Sequence, residues 1–267
     1  MLLKPLFVCW LTAFICAVFP SLLIAKEVIR IASGDWAPYL SQNLQHGGLA
    51  TDIVRHAFAR VGVETEFGYF PWKRSYRYAV NGKGEHGETW HATSLWLYSD
   101  ERNKELEYSD AVIETQEVLF YLKSDPIIWE NDSDLKGLLV GGTEYTPYPK
   151  FEGLQKQGIL KLIRAGDDDK SMQRLIFRNL DAVIIMKEVG FYYLQHRLDK
   201  ERREQIAYLP KSAQDRKMYL LFSRNRPENQ KLIKLFNKGL KLIKQEGRYE
   251  ELYQKFREGN YSHIGRK

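Results

Sequence analysis

From Val28 to Ala32 the chain is a short apolar, β-type run that stops at Gly34-Asp35 and opens into Trp36-Ala37-Pro38-Tyr39. A strand that ends in such a turn places its aromatic rings at a sheet edge. Gly47-Gly48 then precede Leu49, Ile53, Val54, Ala57, Phe58 and Val61 at helical spacing, with Gly62 as the C-terminal cap. Val63, Thr65, Phe67 and Tyr69 alternate as in a second strand. Strand, turn, helix, strand is the opening unit of a parallel α/β sheet.

The pattern restarts twice. A helix is predicted from Pro71-Trp72 to Val80, then a glycine-rich loop, Asn81 to Gly87, and the stretch Trp90 to Trp96. Ser99-Asp100-Glu101-Arg102 reads as a turn or short helix, and Glu117 to Lys123 as a strand ended by Asp125-Pro126. Beyond it, Leu138 to Thr143 is a buried strand emptying into the turn Gly141-Gly142; Met172 to Arg178 is a helix and Leu180 to Met186 another buried strand. Lys217 to Ser223 returns to strand character. The long helical region that follows recurs through Leu232, Leu235, Phe236, Leu240 and Ile243, with lysines opposite, until Gly247 breaks it.

Composition adds a compartment. Lys4 precedes an uncharged apolar run to Ala25, interrupted by Pro20, which is a signal-peptide pattern covering residues 1–25. An uncleaved N-terminal anchor is the alternative, and either way the body is expected outside the cytoplasm, in the periplasm. Both cysteines, Cys9 and Cys16, fall in this leader, so the remaining chain of about 242 residues must rely on core burial without disulfides. The formal charge of +6 is spread among interspersed acids, which argues against nucleic acid; the basic stretches read as solvated helix faces. A net positive field favours anionic solutes mildly. His86 and His91 lack a third ligand, and no metal or cofactor is expected.

The turn Trp36 to Tyr39, the helix bearing Asp52-Ile53, Ser99 to Arg102 followed by Glu107-Tyr108-Ser109-Asp110, Asp134 to Gly137 leading to Val140 to Thr143, Asn179 to Ile184, and Gly239 to Gly247-Arg248-Tyr249 occur in one order along the chain. In that order they resemble the family 3 bacterial extracellular solute-binding proteins, the class of the periplasmic polar amino-acid receptors of ABC importers. The resemblance implies an α/β, two-lobed periplasmic-binding-protein-like fold (type II). Lobe 1 would be residues 27–122 plus 218–267 and lobe 2 residues 125–213, joined by crossing strands near Lys123-Ser124 and Gln214 to Lys217. It also implies a monomer that captures a small-molecule solute and presents it to a membrane permease or a sensor receptor.

Carried over residue by residue, the resemblance assigns Arg102 to a ligand carboxylate, with Ser99 standing for the family's threonine, and a planar guanidinium suits an oxyanion. Thr143 with Gly142 matches the lobe 2 turn whose amides and hydroxyl meet the anionic end, flanked by Glu144 and Tyr145. Trp36 takes the place of the covering ring, with Tyr39 near it. Trp72, Trp90, Ser94 and Trp96 complete the lobe 1 candidates. The chain departs from the family where an aspartate should meet the ligand's amine: Met186 or Lys187 stands there, with Glu188 one or two residues on. With Lys187 facing the cleft, an anionic solute without an amine is expected. The rival reading is an exported dehydratase-like enzyme using Glu144, Glu188, Lys187 and Arg102, with Asp168 and Asp169 as further acids; no nucleophile set supports catalysis.

Overall fold

The computed structural model describes residues 28–264 apart from Tyr145 and Ala165. The expected leader at 1–25 and Tyr145 therefore lie outside the described residues. Among the described residues no helix is long and apolar enough to cross a membrane.

In chain order the elements are β1 (Val28–Ser33), α1 (Leu49–Ala59), β2 (Glu64–Tyr69), α2 (Trp72–Asn81), β3 (Ala92–Leu97), α3 (Asp100–Glu105), β4 (Leu106–Leu122), β5 (Leu139–Gly142), α4 (Pro149–Lys156), β6 (Lys161–Arg164), α5 (Asp168–Ile176), β7 (Ala182–Met186), α6 (Lys187–Arg197), α7 (Lys200–Glu204), β8 (Ile206–Tyr208), β9 (Gln214–Ser223), α8 (Asn229–Gln245) and α9 (Arg248–Arg257). The strands run in the order β2-β1-β3-β9-β4-β7-β5-β6, with β8 on β4. β1 pairs in parallel with β2 and β3, and β5 with β6 and β7, so each half carries its own parallel unit. The antiparallel pair β4 and β9 joins them.

β4 is the main difference from expectation. It begins at Leu106, well before Glu117, because its first half alternates buried Leu106, Ser109, Val112 and Ile113 with partly exposed acids such as Glu107 and Asp110. That polar alternation masks a strand with one wet face. Pairing along β4 passes from β9 to β7 at Glu117, so the segment Val118–Leu122, expected in lobe 1, is hydrogen-bonded into the β7 half.

The side-chain period of two divides the second half's core. Val118, Phe120, Val183 and Ile185 join the large cluster that continues through Ile29, Ile31, Phe58 and Phe236. Leu119, Ala182 and Ile184 face the other way, into a cluster with Trp129, Phe151 and Leu162. The two clusters give each lobe apolar packing, and a shared sheet fixes the strand ends from which the cleft is built.

Candidate functional site

Parallel strands deliver their following loops to one edge, and clefts in such sheets form outside the carboxyl ends of the strands. Here β1 delivers Asp35 and Trp36, β3 delivers Tyr98 and Ser99, β5 delivers Thr143 and Glu144, and β6 delivers Gly166 to Asp168. These residues line a cleft of about 900 Å³, together with Trp72, Trp96 and Arg102 on one wall and Tyr148, Arg164, Ile185 and Met186 on the other. Glu117, where the pairing of β4 changes, also borders it.

The first wall is aromatic. Trp72 and Trp96 meet edge to face at 5.2 Å. The Trp96 indole is held by a hydrogen bond from its Nε1 to Thr93 Oγ1 at 3.0 Å. Trp72 reaches the cleft over Gly34, where an added Cβ would lie 2.1 Å from the indole Cε2. Arg102, in α3, lies over Trp96 with its guanidinium carbon 4.9 Å from the ring centroid and donates Nη1 to Leu97 O at 3.2 Å. Its stacked, partly buried guanidinium also meets the Tyr108 hydroxyl and still keeps further N–H donors.

The second wall is polar and largely self-satisfied. Arg164 donates Nη1 to Thr143 O at 2.9 Å and to Thr146 O at 2.7 Å, and its Nη2 pairs closely with Glu152. That cation is spent on shaping the 143–148 loop. The amides expected to meet an anion are also engaged: Thr143 N donates to Tyr148 Oη at 3.1 Å and Glu144 N to Gly166 O at 3.0 Å. The Thr143 hydroxyl donates to Thr146 Oγ1 at 2.6 Å.

A hydrogen bond crosses the cleft. Trp36 Nε1 donates to Asp168 Oδ2 at 3.3 Å, joining the turn after β1 to the first turn of α5. Burial pushes the Asp168 carboxyl up to about 6, with the Trp36 bond opposing and the neighbouring Asp169 and Asp167 reinforcing the rise. At the floor, burial pushes Glu117 up to about 7 although the Arg216 guanidinium opposes it. Arg216 Nε lies 3.0 Å from Glu117 Oε1, and Nη2 donates to Oε2 at 3.1 Å and to Pro147 O.

The sequence-predicted residues divide. Trp36, Trp72, Trp96, Arg102 and Thr143 come together around the cleft, with Ser99 and Glu144 beside them. Tyr39, Trp90, Ser94, Gly142 and Lys187 lie outside its lining. Tyr39 is wholly buried and donates its hydroxyl to Glu188 Oε2 at 2.9 Å, a carboxylate that also accepts from Thr115 Oγ1. Trp90 packs into a core cluster, stacked on Tyr78 and edge-on to Phe70. Ser94 is fully buried in β3, its Oγ without a hydrogen-bond partner among the described residues. Gly142 is covered by the Tyr148 ring, 2.7 Å from where a Cβ would stand. Lys187, at the start of α6, reaches across the Tyr208 ring at 5.8 Å, while Met186 takes the cleft position.

The expected positive cleft is therefore replaced by a mixed one. Asp35, Glu117, Glu144, Asp167 and Asp168 border it, against Arg102 and the committed Arg164. Glu117 was missed as a site residue because its strand reads as core. Asp168 was named only as a candidate acid of the enzyme reading, since its contact with Trp36, distant in the chain, is not legible from position.

Comparison with known proteins places this architecture. No curated protein sequence matches the chain. Among solved structures, the amino acid ABC transporter substrate-binding protein AbpA from Streptococcus pneumoniae Canada MDR_19A, bound to L-arginine, superposes with a TM-score of 0.64 at 18% identity, covering 89% of this chain and 97% of that one. A histidine kinase sensor domain with similarity to periplasmic binding proteins gives 0.63 at 17% identity, over 86% and 96%. The ancestral amino acid-binding protein AncCDT-1, a precursor of cyclohexadienyl dehydratase, gives 0.61 at 18%, over 86% and 95%. These likenesses establish a shared type II, two-lobed fold. The model of the bacterial extracellular solute-binding proteins, family 3, matches residues 29–259, and the chain belongs to that family.

Proposed function

We propose that this chain is an exported, periplasmic solute-binding protein that closes two lobes around a small organic molecule and presents it, as a monomer, to a membrane permease for ABC-type import. The observation that carries this reading is the Trp36–Asp168 hydrogen bond, which brings an aromatic wall with a guanidinium against a polar wall across one cleft. A solute that touches both walls completes its contacts only when the lobes are together, so binding shifts the population toward the closed form. Arg102 takes an oxyanion of the solute, and the indoles cover its apolar body. The likeness to an arginine-bound transporter protein supports import, and the likeness to a kinase sensor domain supports signalling to a membrane receptor as the companion role.

A thermal-shift screen of the purified protein against amino acids, amines and organic acids tests the reading, because a ligand at a hundred times its Kd adds about 2.7 kcal/mol of stability. The expected hit also lowers the radius of gyration in small-angle scattering. A hit that raises the melting temperature without compaction would sink lobe closure.

One observation favours a second reading. Glu117 borders the cleft with its carboxyl pushed up to about 7, a range suited to proton transfer near neutral pH. A dehydratase-like activity would use it as acid or base. Turnover of a screening hit, followed by nuclear magnetic resonance, decides between capture and catalysis.

A further inference from the structure

We propose that the solute carries an organic cation, an ammonium or guanidinium group on an apolar or aromatic body, and that Asp168 is its anchor with Trp36 and Trp72 as the enclosing faces. The proposal rests on the two-lobed capture reading and adds the chemistry of the ligand.

The charges around Asp168 are unequally answered. Asp167 caps α5 by accepting from Lys170 N at 2.8 Å, and Asp169 pairs with Arg197 at 3.6 Å. Asp168 receives one long hydrogen bond from an uncharged indole, and among the described residues no Lys, Arg or His makes an ion pair with it. A carboxylate drawn out of water without a cation costs several kcal/mol, which is why its proton affinity is raised. The helix N-terminus offsets part of that cost. A ligand cation removes the rest on binding.

The surroundings select the same chemistry. Indoles are the strongest aromatic partners for a cation, and Trp36, which makes the bridge to Asp168, and Trp72 both line the cleft. Trp96 already receives the Arg102 guanidinium. At the end of β7, where the resemblance calls for an acid, Met186 lines the cleft and Lys187 turns to Tyr208. The acid that faces the solute has thus moved to the start of α5. Arg102 remains for an oxyanion, so the charge pair of a zwitterion is accommodated with its cationic end displaced.

The test uses the purified chain with named probes: L-arginine, tyramine and agmatine as cations, and phenylacetate and succinate as acids without one. The expected result is that the melting temperature rises with at least one cation. Calorimetry of that probe should show at least a tenfold loss of affinity in Asp168→Asn. In Asp169→Asn, which removes an exposed neighbour of the same sign, affinity should stay within twofold. Asp168→Glu, which keeps the charge, should retain more affinity than Asp168→Asn, and circular dichroism confirms that each variant folds. A response to phenylacetate or succinate alone, or equal affinity in Asp168→Asn, would overturn the cation anchor while leaving solute capture standing. Silence from every cation, with compaction on no probe, would overturn both.

Discussion

The two walls of the cleft are built by similar parallel units yet finished differently. The wall from β1 and β3 presents three indoles and a guanidinium that keeps donors to spare, whereas on the wall from β5 and β6 the Arg164 cation, the Thr143 and Glu144 amides and the Thr143 hydroxyl are already bonded within the wall. Similar topology therefore does not confer similar chemistry. The first wall offers aromatic faces and guanidinium donors, and the second offers chiefly its acids. In the proposed reading, recognition rests on Arg102 on one side and Asp168 on the other.

The largest expected effect lies between the walls. Arg216→Met leaves Glu117 buried without its partner, and stranding one member of a buried pair costs about 3 to 5 kcal/mol, measurable by urea unfolding. A loss below about 1 kcal/mol would mean the pair is not what holds the cleft floor. Next, Arg102→Ala should weaken an oxyanion-bearing hit by about 2 kcal/mol, roughly thirtyfold, as expected for a charge-assisted bond. Its unliganded stability should stay near wild type. A large drop in melting temperature without ligand would instead make Arg102 a structural partner of Trp96.

The pH dependence separates the acids from the rest. Glu117 and Asp168 hold protons more tightly in the folded chain, at about 7 and about 6, than in the unfolded one, where carboxyls sit near 4. Between those values the native state binds more protons. The stability from these two groups is therefore fully present at about pH 4 and is lost as pH rises through about 6 and 7. Glu117→Gln should flatten most of that slope in thermal melts of the unliganded protein. Binding of a cationic solute should run the other way, weakening below about pH 6 as Asp168 is protonated. The smallest effect is Tyr39→Phe, which removes one hydrogen bond to Glu188 and should cost about 1 kcal/mol with little change in solute affinity. A strong loss of affinity there would return Tyr39 to the site.

Much of the fold was legible because α1 and α8 keep a clean period, β2 alternates, and β7 is a continuous apolar run. Gly62 and Gly247, both at positive φ, end segments where the pattern places breaks. The first half of β4 was not legible, since its acids belong to a wet face that composition alone reads as loop. At the site, Arg102, Trp36, Trp72, Trp96 and Thr143 reached the cleft from their places after strands. Trp90 did not, for a physical reason: an indole beside Phe70 and Tyr78 has as much to gain from a core as from a cleft. Lys187 was misplaced by one residue of backbone, because Met186 ends the strand toward the cleft and the next side chain leaves with the helix.

Gly34 has no side chain, yet it governs the width of the aromatic wall. The Trp72 indole occupies the volume that a methyl group at position 34 would claim. A single carbon added there would force the indole or the backbone beneath it to shift, reshaping the aromatic wall without replacing any side chain that lines it. The shape of the aromatic wall is thus adjustable from the backbone just after β1, at a position where a screen of cleft-lining side chains would never look.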